Sequence, residues 1–114
     1  MTNLDTLSND GSPYSVFFAS GETDIDDEGK DVLARVKRSA DRVQPSRIVV
    51  VGYADRRGIA ADNKRLAEQR AREVAKGLIE EGVPAAAITV EAWGETISAD
   101  SLEENRRVEI TFEN

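Results

Sequence analysis

The chain has 114 residues, a formal net charge of −7, and neither cysteine nor histidine. This length suits a single domain. The missing side chains exclude disulfides, thiolate or imidazole metal sites, and catalysis by Ser-His or Cys-His pairs. Apolar runs stay far below the roughly 18 residues that a membrane span needs. Nucleic-acid binding depends on excess Lys and Arg, which an acidic chain lacks. We therefore expect one domain with no metal, no cofactor, no nucleic-acid partner and no transmembrane segment.

The negative charge belongs to the front of the chain. Residues 1–31 contain eight acidic residues and one basic residue, whereas residues 32–114 contain 14 of each. Polar and turn-forming residues dominate residues 1–13, which predicts a flexible lead-in or linker before a domain at 14–114. Residues 1–11 lack the apolar stretch of a signal peptide, which fits either a cytoplasmic protein or a domain separated from its export signal.

The first half of the chain predicts a strand, a helix and a second strand. Residues 14–19 are predicted as a strand, with Tyr14, Val16 and Phe18 facing inward by the period of two residues and Phe17 on the other face. An amphipathic helix follows, with Asp24 or Asp26 as its N-terminal cap and residues 44–46 as its end. Residues 48–51 are β-branched and apolar on both faces, which is typical of an interior strand.

The second half predicts a longer helix and two more strands. Asp62 or Asn63 is the expected helix cap, and Gly82 is the expected residue just past its end. Residues 88–93 and 107–112 each alternate as strands, with Ile88, Val90 and Ala92 predicted to face inward in the first of them. The order β-α-β-α-β-β predicts an α+β fold, a two-layer α/β sandwich in which two helices cover one face of a mixed four-stranded sheet.

One basic residue interrupts the apolar face of the second helix. Arg70 lies in the same row as Leu66, Val74 and Leu78. Three explanations fit such a guanidinium: its stem extends to solvent, it pairs internally with a carboxylate, or it faces a pocket for an anionic ligand. Asp55 is the natural partner because it follows an interior strand, where α/β units place ligand-binding loops. Together the two charges suit the ammonium and carboxylate of an amino acid.

Several motifs in this sequence resemble the OmpA-like domain, the periplasmic module of OmpA, Pal and MotB-type proteins. They are Gly52-Tyr-Ala-Asp-Arg-Arg-Gly58, Asn63-Lys-Arg-Leu-Ala-Glu-Gln-Arg70, Trp93-Gly94 and Asn105-Arg106-Arg107-Val108-Glu109-Ile110. The resemblance covers roughly residues 14–113, and the loop motif is most similar to that of the Pal lipoproteins. It implies a periplasmic, cell-envelope module that is not an enzyme and that anchors a membrane or periplasmic protein to peptidoglycan.

The resemblance also implies which residues hold the ligand, the diaminopimelate of the peptidoglycan stem peptide. Asp55 matches the family aspartate and is expected to hold the ammonium group. Arg70 matches the family arginine and is expected to hold the carboxylate. Asn63 matches an asparagine that shapes the site, and Leu66 is expected to pack on the aliphatic chain of the ligand.

The sequence departs from the family pattern near the end of the first strand. The family usually has an acid or amide there, whereas this chain has Ala19, so contact is expected from the backbone or from Ser20. Tyr53 stands where the family commonly has histidine. Arg106, with Asn105 before it, is interpreted as structural support or as a residue behind the ligand contacts.

The face of the sheet away from the helices suggests a second function. Phe17, Val49, Val51 and Trp93 share this face by the period of two residues. An apolar face of this kind is expected to be covered by the lead-in or by a second copy in a homodimer. The alternative function is thus a structural or protein-interaction module of the same fold, in which the aspartate and arginine form an internal ion pair and no glycan is bound.

Overall fold

A computed structural model describes residues 13–54, 60–95 and 106–113 of the chain. Its elements are β1 (Tyr14–Phe17), α1 (Asp27–Val43), β2 (Arg47–Ala54), α2 (Ala60–Glu80), β3 (Ile88–Glu95) and β4 (Arg107–Glu113), with a short 3-10 turn at Ala85–Ala87 before β3. The predicted α+β order is confirmed, and only the 3-10 turn is new. The predicted lead-in lies outside the described residues except for Pro13 and stays a prediction.

The four strands form one mixed sheet in the order β1-β4-β2-β3. Strand β2 pairs in parallel with β3, whereas β4 runs antiparallel to both β1 and β2. Strands β1, β2 and β3 therefore finish at the same end of the sheet, where β4 begins. We call this end the top of the sheet. The residues that follow β1 lie there as well, and Arg70 of α2 hydrogen-bonds to two of them, so the described site residues converge at the top.

The core lies between the sheet and the two helices. It is built from alternate strand residues and from the apolar rows of both helices: Tyr14, Val16, Leu33, Val36, Ile48, Val50, Val74, Leu78, Val108 and Ile110. The hydroxyls of Tyr14 and Ser39 hydrogen-bond each other at 2.9 Å within this core. Val90 was predicted to face inward but is 37% exposed, because β3 is an edge strand. The described residues include no helix that is both long and apolar enough to cross a bilayer.

Helix α1 begins and ends as predicted. Asp26 is its N-cap, and the Asp26 carboxylate accepts a hydrogen bond of 2.8 Å from the Gly29 N–H. Gln44 at the other end adopts the left-handed conformation with φ of 51°, and its N–H donates to the Ala40 carbonyl. Both contacts satisfy backbone groups that a helix end leaves without intrahelical partners.

Helix α2 begins at Ala60, two residues before the first predicted cap. Asp62 lies in the first turn instead, where its negative charge suits the positive end of the helix dipole. The prediction was wrong because Asp is favoured both at the cap and in the first turn, so composition alone does not fix the boundary. The other end is as predicted: Gly82 has φ of 111°, and the Val83 N–H donates to the Leu78 carbonyl.

Strand β2 extends farther than the sequence predicts. Residues 52–54 were expected to lie in a loop, but they continue the strand, and β3 lengthens with it to Glu95. The paired residues are Gly52 with Ala92 and Tyr53 with Gly94, so Trp93 is the additional residue of a β-bulge. Gly52 resembled a strand end because glycine is a poor strand former.

Close helix packing explains the glycine in β2. A Cβ atom at position 52 would lie 2.1 Å from the carbonyl oxygen of Ala67 in α2. No side chain can occupy that space, so only glycine lets α2 pass this close to the strand. This contact fixes the height of α2 above the sheet one turn before Arg70.

Candidate ligand-binding site

Arg70 lies at the centre of the candidate site, at the top of the sheet. It is 0% exposed and is the largest of the fully buried side chains in the described part of the chain. Its Nε donates to the Glu22 carbonyl at 2.9 Å, and its Nη2 donates to the Ala19 carbonyl at 3.1 Å. The Arg70 Cζ also lies 5.3 Å from the centroid of the Phe18 ring, within the range of a cation–π contact.

The two carbonyls belong to one tight turn after β1. The Glu22 N–H donates to the Ala19 carbonyl at 3.0 Å, and Gly21 between them has φ of 72°. Arg106 holds the start of the same segment, because its Nε donates to the Phe18 carbonyl at 3.1 Å while its carbonyl accepts from the Phe18 N–H at 2.9 Å. Two arginines from distant parts of the chain thus fix one turn through its backbone.

The structure brings most of the predicted residues to this end of the sheet. Asn63, Leu66 and Arg70 lie on one face of α2 at spacings of three and four residues. Asn63 is buried and Leu66 is partly buried, whereas Ser20 in the turn is exposed. Two predicted residues, Asp55 and Asn105, lie outside the described residues. Their positions stay predictions, as do the ligand roles of all the others.

The hydrogen bonds of Arg70 define how an anion would approach. Nε and Nη2 form one edge of the planar guanidinium, and this edge meets the two carbonyls of the turn. The edge formed by Nη1 and Nη2 points away from them. A carboxylate that makes a two-point contact with Arg70 therefore has to meet this second edge. The guanidinium stays protonated at any physiological pH, so it suits binding rather than proton transfer.

Tyr53 lies at the top of the sheet, on the face opposite the helices. Burial raises the pKa of its phenol, the Glu109 carboxylate raises it further, and the Arg107 guanidinium opposes the rise. The hydroxyl is therefore neutral near pH 7. In the parts of the chain that the structure describes, no cluster of three or more acidic side chains is arranged to hold a metal ion.

Sequence reasoning missed the partners of Arg70. Phe18 was predicted to face inward, and it does, with 4% exposure, although β1 ends one residue earlier, at Phe17. Its contact with the Arg70 guanidinium produces no periodicity in the sequence. The carbonyls of Ala19 and Glu22 carry no sequence signal at all, since every residue has one. Only Ser20-Gly21 indicated that a turn follows the strand.

The chain belongs to the OmpA family, whose model matches residues 17–109. It is 35% identical to Outer membrane protein A of Shimwellia blattae over 71% of this chain and 34% of that protein. Its fold matches the peptidoglycan-associated lipoprotein of Burkholderia pseudomallei with a TM-score of 0.80, at 24% identity, covering 95% of this chain and 99% of that one. The cell wall anchor of the type VI secretion system of Pseudomonas aeruginosa matches with a TM-score of 0.69 and 32% identity, covering 85% and 75% of the two chains.

This membership confirms the resemblance found in the motifs. It also confirms the predictions that the chain is a cell-envelope domain and that it is not an enzyme, because the similar proteins include an outer membrane protein and a cell wall anchor. The chain spans only a third to a half of the length of the first curated relatives that it matches.

Proposed function

We propose that this domain binds peptidoglycan without covalent attachment and anchors a larger envelope protein to the cell wall. The observation that carries the proposal is the buried guanidinium of Arg70, fixed on one edge by two carbonyls at the top of the sheet. Fixing the donor before the ligand arrives reduces the entropy lost on binding. An arginine held in this way suits a carboxylate of defined position rather than anions in general.

The contact point on the polymer is the free end of the diaminopimelate in the stem peptide. Arg70 binds its carboxylate through the Nη1–Nη2 edge, and Asp55 binds its ammonium group. Leu66, one turn before Arg70 on α2, packs against the aliphatic chain, and Asn63 shapes the wall beside it. In the turn after β1, the Ala19 carbonyl contributes by accepting a hydrogen bond that holds Arg70. The Ser20 hydroxyl is the side chain of that turn that contacts the ligand directly.

The similarity to a cell wall anchor supports this assignment. The type VI secretion anchor shares the fold and is 32% identical to this chain over most of both proteins. A domain of this size within a longer relative suits a module that attaches the rest of a protein to the wall. The charge of residues 32–114 is balanced, so any general repulsion of an anionic polymer comes from the acidic residues that precede them.

Co-sedimentation with purified diaminopimelate-type sacculi tests the proposal. The parent domain is expected to pellet with sacculi, and Asp55→Ala and Arg70→Lys are each expected to bind at least about tenfold more weakly, because each loses a charge-assisted contact. Arg72→Lys is the matched control, since Arg72 lies on the same helix with its side chain 70% exposed. Equal pelleting of the parent, Asp55→Ala and Arg70→Lys would contradict the proposal.

The complete burial of Arg70 favours one alternative, the interaction module in which Asp55 and Arg70 form an internal ion pair. A side chain with 0% exposure meets an external ligand only if the residues over it move. In this alternative the parent does not pellet with sacculi, and Arg70→Lys lowers stability with no binding to lose. Thermal unfolding of the same variants, measured beside sedimentation, separates the two functions.

A further inference from the structure

A row of side chains crosses the sheet on the face opposite the helices. It consists of Trp93 on β3, Tyr53 on β2, and Arg107 and Phe17 on β4 and β1, and we call it the aromatic row. The ring centroids of Tyr53 and Trp93 are 5.8 Å apart in an edge-to-face arrangement. The Arg107 Cζ lies 4.2 Å from the Tyr53 centroid. Trp93 is 65% exposed and Phe17 is 48% exposed.

The indole of Trp93 is held in place although it faces solvent. Trp93 is the additional residue of the bulge in β3, and bulges often redirect a side chain beside a functional site. Its Nε1–H donates to the Glu91 carboxylate at 3.2 Å. On the other side of Tyr53, the Nε of Arg107 donates to the Glu109 carboxylate at 2.9 Å. The exposed indole is thus held by one hydrogen bond to a carboxylate and by its edge-to-face contact with Tyr53 before any partner arrives.

The aromatic row and the Arg70 site lie on opposite faces of the same end of the sheet. Phe17 belongs to the row, and the next residue, Phe18, contacts Arg70. Arg107 belongs to the row, and the residue before it, Arg106, holds the turn that contacts Arg70. Because neighbouring strand residues point to opposite faces, only the thickness of the sheet separates the two sites. A polymer with many repeating units is long enough to contact both faces at this end of the sheet.

We propose that the aromatic row is a second binding site, which stacks a pyranose ring of the glycan strand on Trp93. This inference rests on the proposed function, because it assumes that the wall polymer is already held at Arg70. A pyranose has an apolar C–H face that suits the indole, and its rim of hydroxyl and amide groups suits the carboxylates of Glu91 and Glu109. Each carboxylate already accepts one hydrogen bond, from Trp93 or from Arg107. An apolar protein surface would remove the remaining lone pairs of both carboxylates from water without replacing those hydrogen bonds, which is costly.

Intrinsic fluorescence tests the second site directly, because Trp93 is the only tryptophan of the chain. Titration of the parent domain with soluble N-acetylglucosamine oligomers is expected to give a saturable change of emission. Arg70→Lys is expected to give the same change, since the saccharide lacks the carboxylate that Arg70 binds. If the sedimentation assay contradicts the Arg70 proposal, this titration therefore still tests the second site by itself.

Calorimetry with the same oligomers is needed for Trp93→Ala, because this variant has no tryptophan emission to follow. Trp93→Ala is expected to bind at least about tenfold more weakly, because aromatic stacking is lost. Ile79→Ala is the matched control, since Ile79 is an apolar side chain of 45% exposure on α2, and it is expected to bind like the parent. Absence of saturation in the parent, or an equal loss in both variants, would overturn the second site.

Self-association would also overturn the second site. If Trp93 emission depends on protein concentration without saccharide, and sedimentation equilibrium shows a dimer that Trp93→Ala abolishes, the aromatic row is an interface between two copies of the chain. A concentration-independent emission spectrum and a monomer are the results expected here.

Discussion

Arg70 is fully buried and is also the residue proposed to bind the carboxylate of the ligand. Burying a guanidinium is unfavourable unless its donors are satisfied and its charge is stabilised. Two carbonyl oxygens and the face of Phe18 provide part of that stabilisation. A lysine at this position has one donor group instead of a planar fork, so it cannot meet both carbonyls and also present a second edge to a carboxylate.

Gly21 supports Arg70 through the conformation of the turn. Its φ of 72° is unfavourable for residues with a Cβ, although a Cβ there would meet no atom within 4 Å. Gly21→Ala is therefore expected to lower the free energy of unfolding by about 1 kcal/mol through backbone strain alone. Urea unfolding measures the loss. Gly21→Asn is the control, because asparagine tolerates this conformation better, and equal stability of Gly21→Ala and the parent would contradict the strain.

The phenol of Tyr53 makes stability depend on pH at the alkaline end. Its pKa in the folded protein is raised above the ordinary value of about 10, chiefly by burial. The folded state therefore holds this proton more tightly than the unfolded state. Its contribution to stability is complete below about pH 10 and is lost as pH rises through the folded pKa.

Comparison with Tyr53→Phe isolates this effect, since all other alkaline titrations are common to both proteins. Urea unfolding across a pH series is expected to show the parent losing stability relative to Tyr53→Phe only above about pH 10. If the stabilities of the parent and of Tyr53→Phe stay parallel through the alkaline range, folding does not raise the pKa of the Tyr53 phenol.

At the scale of elements, the contact between α2 and β2 sets the position of the site. Gly52→Ala would place a Cβ 2.1 Å from the rigid Ala67 carbonyl and is expected to cost about 2–3 kcal/mol, because the helix has to move. Gly77→Ala is the matched control. Its Cβ would meet the flexible end of Leu33 at 2.5 Å, and alanine favours helix, so its stability is expected to stay within about 1 kcal/mol of the parent.

Thermal and urea unfolding of both variants measure this difference. Gly52→Ala is also expected to weaken sacculus binding, since α2 carries Arg70, whereas Gly77→Ala is expected to leave binding unchanged. Equal stabilities of the two variants would show that β2 and α2 separate freely at this point.

Most of the elements could be predicted from the sequence because their patterns are local. Asp26 and Gln44 mark the two ends of α1 through contacts within a few residues. The inward-facing residues of β1 and β4 recur with a period of two. The extension of β2 could not be predicted, because Gly52 is present for a helix 15 residues away in sequence. The bulge at Trp93 could not be predicted either, because it depends on the register between two strands and not on either strand alone.

Some residues of the candidate site could also be predicted from the sequence, and others could not. Arg70 could be selected because a charge in an apolar row violates helical periodicity, and Asp55 could be selected because it follows an interior strand. The motif resemblance added Asn63 and Leu66. The turn that holds Arg70 could not be found, because its contacts are made by backbone carbonyls. The aromatic row was only half visible: Phe17 and Trp93 were predicted to share its face, but their connection through Tyr53 and Arg107 needs the strand order.

At the scale of the whole molecule, both proposed sites lie at the top of the sheet, on its two faces. The acidic excess of the chain is confined to residues 1–31, so the net charge says little about the ligand that residues 32–114 would bind. An anchor benefits from this arrangement, because two weak contacts with one polymer act together when both are engaged at once.

Titration of the isotope-labelled domain with diaminopimelate, followed by amide chemical shifts, is the most direct test of ligand binding at Arg70. Saturable shifts are expected in residues 19–22 and 63–70, with the far ends of α1 and β3 unchanged. Arg70→Lys is expected to lose them while keeping a folded spectrum. Shifts that are absent, scattered over the surface, or unaffected by Arg70→Lys would contradict a ligand site at Arg70.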